Sequence, residues 1–201
     1  MNTNRSLKVP WFLILILALL FILSLAWFSY ENYRAGSVPW QIATSAILLS
    51  IPLGLTNFSI GVLVMATRQK RSQGEISGRL AKFIYWTPRI AGILITVFVA
   101  LFALDVFSEG ASFWEMLGGF LIHASPAIAM AILLAFAWRW EQVGFYAFLL
   151  AAIYFLRFML WNPLQNIPIF LIFSLPMLVI ALLFWANWRW RDEIRSTKKS
   201  G

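Results

Sequence analysis

The sequence has no cysteine and little charge, and both shortages exclude whole classes of protein. Without cysteine, the 201-residue chain has no disulfides, no thiol catalysis and no cysteine-ligated metal. Charged residues make up 12% of the chain, about half the share found in an average soluble domain, whereas 61% of residues are hydrophobic. A soluble fold of this size cannot bury so much apolar surface. The composition therefore indicates a polytopic membrane protein.

The apolar residues form six blocks of roughly 19–25 residues, which is long enough to cross about 30 Å of hydrocarbon as a helix. Lipid cannot satisfy an open backbone, and the blocks lack the polar alternation of a barrel. We therefore predict an all-α, polytopic transmembrane helical bundle with six transmembrane helices. The predicted spans are Trp11–Tyr30, Ile42–Ala66, Pro88–Phe107, Leu117–Trp138, Val143–Trp161 and Ile167–Trp188.

These spans divide the chain into four parts. They are an N-terminal two-helix transmembrane hairpin (1–66), a basic cytoplasmic connector (67–87), a four-helix transmembrane module (88–188) and a basic cytoplasmic tail (189–201). The first span is interpreted as an uncleaved anchor, because its apolar run is too long for a typical signal-peptide core.

The connector ends in a stretch with helical periodicity. Apolar residues fall on one face of the stretch Ile76 to Trp86, which predicts a short interfacial helix before the third span; a basic loop is the alternative. Thr87 is a suitable cap for the third helix, and Pro88 suits its first position, where a missing N–H costs nothing. We therefore expect the third helix to begin at Pro88.

The basic residues are distributed unevenly about the spans. Fourteen of the sixteen basic residues, all except Arg34 and Arg157, fall on the side that holds the two termini. By the positive-inside rule, this places both termini in the cytoplasm and the protein in the cell (inner) membrane. The net charge is +8, but the basic residues lie at the ends of the spans, so we predict no nucleic-acid partner. The expected partners are the lipid bilayer and other membrane-protein subunits.

A first candidate site is a polar cluster in the outer third of the membrane. The directions of the third, fourth and fifth helices bring Asp105, Glu115, His123 and Arg157 to similar depth. We predict that Arg157 meets Asp105 or Glu115, directly or through water, with His123 nearby. The preferred interpretation is a network that holds three helices together; a ligand or proton site is the alternative. Arg157 snorkelling to the surface is a further possibility.

A second candidate is the intramembrane polar group Thr56, Asn57 and Ser59 in the second helix. Such groups usually form hydrogen bonds between membrane helices, and the nearby Gly54 and Gly61 allow close approach. A substrate site at this group is the alternative interpretation.

The sequence shows no enzyme motif. Walker loop, nucleophile elbow and HExxH are missing, and Glu141 is interpreted as a single exposed carboxylate, which provides no acid–base pair. The single histidine, His123, cannot build a zinc site, although it could ligate one haem iron axially. We therefore predict no catalytic residues and no metal site, and the sequence leaves the cofactor unknown.

Three short motifs stand out between about residues 81 and 191. They are the FALDVF end of the third span, His123 and Pro126 as an HxxP pair, and the WRWExxG turn around Glu141 and Gly144. In these motifs the stretch resembles an uncharacterised family of small four-helix bacterial integral membrane proteins. The two N-terminal helices are additional to that pattern. The resemblance implies a membrane protein of unknown function and brings no catalytic residues.

Three functional classes remain. The first is a non-catalytic scaffold or accessory subunit of a membrane assembly. The second is a small permease or substrate-capturing component, for which six helices suffice. The third is a haem- or redox-associated subunit, which rests on His123 alone.

Overall fold

The computed structural model describes residues 11–107, 112–161 and 167–194, and all regular structure within these ranges is helical. The predicted all-α bundle is therefore confirmed. The α-helices are α1 (Trp11–Arg34), α2 (Pro39–Gln73), α3 (Gly78–Leu101), α4 (Phe113–Ala137), α5 (Glu141–Trp161), α6 (Ile167–Ile169) and α7 (Leu175–Arg189), with a 3₁₀ segment at Phe102–Val106 and a π-helical segment at Phe170–Ser174.

Five helices in the described ranges are long and apolar enough to cross a membrane. They are Phe12–Arg34, Pro39–Gln73, Gly78–Leu104, Phe113–Ala137 and Phe170–Arg189. The predicted fifth span, Val143–Trp161, falls on α5, which has 21 residues but is not among the five. Several such helices in one bundle are typical of a membrane protein. The count of six spans stays a prediction.

The helices pack around two apolar clusters. The larger cluster joins α3, α4, α5 and α7 and includes Ile95, Phe148 and Phe184. The second joins the middle of α2 to the start of α3 and to α7 through Val62, Ile84 and Leu183. By contrast, α1 packs mainly on α2 and lies at the edge of the bundle.

The predicted interfacial helix is wrong as a separate element. Instead, α3 begins directly after Ser77 and continues without a break through Thr87 and Pro88. On its first turns, Leu80 and Ile84 are buried against α2 and α7, whereas Phe83 remains about half exposed. Tertiary packing thus makes one long helix where the local sequence indicates two.

The connector between the second and third helices is shorter than predicted, because both helices extend into it. Only residues 74–77 separate α2 from α3, and Gly74 makes the turn with a φ of 75°. At about 1.5 Å per residue, the 35 residues of α2 span about 52 Å, more than the hydrocarbon layer needs. Near its end, Lys70 forms an ion pair with Glu193, which follows α7.

Candidate functional site

A fully buried arginine lies in the fourth turn of α3. The Arg89 side chain has 0% exposure. Its Nη1 donates a hydrogen bond to the carbonyl oxygen of Tyr85 at 2.5 Å, and its Nη2 donates to the carbonyl oxygen of Trp138 at 3.4 Å. The guanidinium carbon lies 3.8 Å from the centre of the Tyr85 ring, within the range of a cation–π interaction. The arginine that the sequence places at the membrane boundary therefore belongs to the protein core.

The opposite charge is Glu141, the first residue of α5. Its Oε1 lies 3.5 Å from Nη2 of Arg89, and the residue is only 5% exposed. The sequence interpretation of Glu141 as an exposed carboxylate is therefore wrong. A carboxylate at a helix N-terminus is also favoured by the helix dipole. Because either charge alone would be costly in an apolar interior, their pairing allows both to be buried.

A second polar contact explains how α3 continues through Pro88. Proline has no N–H, so the carbonyl of Ile84, four residues earlier, loses its helical donor. Asn187 of α7 replaces that donor: its Nδ2 donates to the Ile84 oxygen at 2.5 Å and to the Leu183 oxygen at 3.0 Å. Asn187 is 2% exposed, so water does not compete for the bond. A neighbouring helix thus satisfies the group that proline leaves open.

Two glycines allow bulky side chains to lie directly on helix backbones beside these contacts. A Cβ atom at Gly144 would lie 2.7 Å from the ring of Phe184, which stacks on Phe148 with 5.9 Å between ring centres. A Cβ atom at Gly92 would lie 2.9 Å from the Leu134 side chain. Any larger residue at either position would push these side chains out of place.

We call Arg89, Glu141 and Asn187, together with Pro88 and Gly144, the buried polar site. It connects α3, the start of α5 and α7. Within it the carboxylate is neutralised by the arginine, and the arginine and asparagine donate to backbone carbonyls. Such a network fixes the relative positions of helices, because separating them would leave charges and carbonyls unpaired in an apolar medium.

The predicted outer cluster is described only in part. Asp105 lies in the 3₁₀ segment, but its side chain is outside the described residues. Glu115 is exposed and completes a capping box at the start of α4. Its Oε2 accepts hydrogen bonds from the backbone N–H and the hydroxyl of Ser112 at 2.9 and 2.8 Å. This contact orders the helix end locally.

The other two members of the cluster lie on exposed helix faces. His123 has its Nδ1 3.0 Å from the carbonyl oxygen of Gly119, one turn earlier in α4. The guanidinium carbon of Arg157 lies 5.4 Å from the centre of the Tyr154 ring. A contact of Arg157 with Asp105 or Glu115 stays a prediction. Across the described ranges, no group of three or more histidine, aspartate or glutamate side chains could hold a metal ion.

Of the second candidate group, Asn57 lies where α2 packs on α1. Thr56 is buried and donates to a carbonyl one turn earlier in α2 at 2.7 Å, and Ser59 is also buried. Asn57 is half-buried and lines an apolar groove of about 420 Å³ between α1 and α2. A Cβ atom at Gly54 or Gly61 would lie 3.9 or 3.6 Å from α1 side chains, which shows how closely the helices approach. A hydrogen bond from this group to another helix stays a prediction.

The sequence prediction omits the buried polar site, although part of the signal is present in the chain. Arg89 and Glu141 each stand at the start of an apolar span, and both spans run in the same predicted direction. The depth argument that pairs Asp105 with Arg157 therefore applies equally to Arg89 and Glu141. Asn187 carries no comparable signal, because a single amide at the end of an apolar run indicates no particular partner.

Fold and site together define an α-helical membrane bundle whose helices are held by buried polar contacts. The chain belongs to the family described as Domain of unknown function (DUF7670), whose model matches residues 77–198. The matched range begins at the cap of α3 and contains the whole buried polar site, whereas α1 and α2 precede it. No curated protein and no solved structure matches the chain significantly.

Proposed function

We propose that this protein is a non-catalytic component of a membrane assembly, an accessory subunit or scaffold of the cell (inner) membrane. The supporting observation is that the buried charges are paired inside the bundle. Arg89 and Glu141 neutralise each other, and Arg89 donates hydrogen bonds to the backbone carbonyls of Tyr85 and Trp138. A permease or an enzyme needs polar groups that face a cavity. The grooves between α2 and α3 and between α1 and α2 have mostly apolar walls.

The exposure of α1 also supports an accessory role. In its most apolar stretch only 6% of residues are buried, compared with 56% in the corresponding stretch of α3. Side chains such as Leu15 and Ile22 are more than half exposed. Since α1 lies outside the matched family range and adds little to the core, its free face is available to a helix of another subunit.

The orientation that we propose has six membrane-spanning helices, with both termini in the cytoplasm. The support for it is the fourteen-to-two division of basic residues, since basic residues concentrate on the cytoplasmic side of membrane proteins. In this orientation the turn at residues 74–77 faces the cytoplasm, and the turn between α1 and α2 faces outward.

Photo-crosslinking in the native membrane tests the accessory role. A photoreactive amino acid is placed at Ile22 in α1 or, as a matched control, at Ile122 in α4; these side chains are 61% and 72% exposed. The proposal predicts that Ile22 crosslinks to one other membrane protein in a fixed ratio, while Ile122 gives mainly lipid adducts.

Three outcomes would contradict this proposal. The first is that Ile22 gives only adducts to lipid or to a second copy of the chain. The second is solute uptake by vesicles containing only the purified protein, which would identify a permease. The third is a visible haem absorption band in the purified protein, which would identify a redox subunit.

A further inference from the structure

An apolar groove with a basic end lies between α2 and α3. Its volume is about 510 Å³, and α2 contributes Leu55 and Phe58 to its wall. The wall on α3 consists of Arg79, Lys82, Phe83, Trp86, Thr87, Ile90 and Ala91. Phe58 and Phe83 are in edge-to-face contact across the groove, with 6.4 Å between ring centres. The groove is therefore built from two helices that the turn at 74–77 joins directly.

The side chains along α3 change in character from one end of the groove to the other. Positions 79, 82, 86 and 90 are three or four residues apart and share one helix face, and position 83 lies beside them, one turn from 79 and 86. The cations come first, the aromatic Phe83 and Trp86 follow, and Ile90 is the furthest from the helix start. At about 1.5 Å per residue, Arg79 and Ile90 are about 16 Å apart along α3. The groove thus has a charged end and a long apolar end.

The two cations at the basic end are available to a ligand. Arg79 and Lys82 are exposed, and neither forms a hydrogen bond or an ion pair with a described residue. Lys70, near the end of α2, differs because it is paired with Glu193. Phe83 and Trp86 beside the cations are 54% and 45% exposed, so the groove opens to the surroundings of the bundle.

We infer that this groove binds an anionic phospholipid. The headgroup phosphate contacts Arg79 and Lys82, and an acyl chain lies along Phe83, Trp86 and Ile90. Basic side chains at the ends of membrane helices bind anionic headgroups. The apolar end of the groove holds the acyl chain. A tryptophan at this level is expected for the headgroup boundary. The inference depends on the membrane location of the bundle and not on the accessory role, so the two fail independently.

The test is native mass spectrometry of the full chain in detergent, with phosphatidylglycerol or phosphatidylcholine added at equal concentration. Phosphatidylglycerol should be retained preferentially. The double variant Arg79→Gln, Lys82→Gln should weaken its retention by about 10- to 30-fold, because each cation near an anionic headgroup contributes roughly fivefold. The matched control, Arg71→Gln with Arg189→Gln, removes the same charge from exposed positions outside the groove and should leave retention unchanged.

A second variant separates the lipid from a free anion. Ile90→Trp fills the apolar end and keeps both cations, so it should reduce phosphatidylglycerol retention without affecting the charge. Displacement of phosphatidylglycerol by inorganic phosphate at millimolar concentration would overturn the inference in favour of a simple anion site. Equal retention of the two lipids by the native chain would also overturn it, as would equal losses in the double variant and its control.

Discussion

The substitution Glu141→Gln should lower the free energy of unfolding by about 3 kcal/mol. It leaves the Arg89 guanidinium, which has no exposure, without the carboxylate that lies 3.5 Å away. At that distance, and with an effective dielectric constant of about 20, two unit charges attract each other by about 5 kcal/mol. The carbonyls of Tyr85 and Trp138 and the new amide oxygen retain part of this stabilisation. Breaking a buried pair typically costs about 3–5 kcal/mol, and we expect the lower end.

The measurement is reversible unfolding of the full chain in mixed detergent micelles, with rising sodium dodecyl sulfate, followed by far-ultraviolet circular dichroism. Glu31→Gln is the matched control. Glu31 forms an exposed pair with Arg34 at 4.0 Å, and such pairs are worth about 0–1 kcal/mol. Equal effects of Glu141→Gln and Glu31→Gln would refute the reasoning.

A double-mutant cycle separates the ion pair from the packing of its two side chains. Arg89→Met with Glu141→Leu removes both charges and keeps apolar volume, so it should be less damaging than the sum of the two single changes. We expect a coupling energy of about 2–3 kcal/mol. Additive effects would mean that the two charges do not stabilise each other.

Two further predictions follow from the same contacts, and a third follows from the proposed orientation. Asn187→Ala should lower the free energy of unfolding by about 1–3 kcal/mol, because it leaves a buried carbonyl unpaired. The loss should be smaller in a Pro88→Ala background, where the backbone N–H returns. An equal loss in both backgrounds would contradict this prediction. Gly144→Ala should cost about 1–3 kcal/mol by overpacking, whereas Gly118→Ala, whose Cβ meets no atom within 4 Å, should not destabilise the same detergent-solubilised bundle. Because the chain lacks cysteine, Glu75→Cys supplies a single label site: it should react with a membrane-impermeant maleimide only after the cells are permeabilised, and labelling in intact cells would reverse the proposed orientation.

The sequence alone predicts the helical class and most of the helix positions. Apolar blocks of about twenty residues can be satisfied in lipid only as helices, and this depends on local composition rather than on neighbours. The capping box of Ser112 and Glu115 is likewise local, since its partners are three residues apart. Features of this kind are encoded within a few turns, so they are visible before any tertiary contact is known.

The buried polar site and the course of α3 depend on tertiary structure. Locally, Pro88 indicates the start of a helix. Asn187, however, lies 103 residues further along the chain than Ile84 and donates to its carbonyl. This bond allows α3 to begin ten residues before Pro88. Glu141 looks like an exposed loop carboxylate until α5 packs beside α3 and Arg89 neutralises it. Burial and pairing are properties of several helices together. Only their packing decides whether a charge faces water, lipid or its counter-ion.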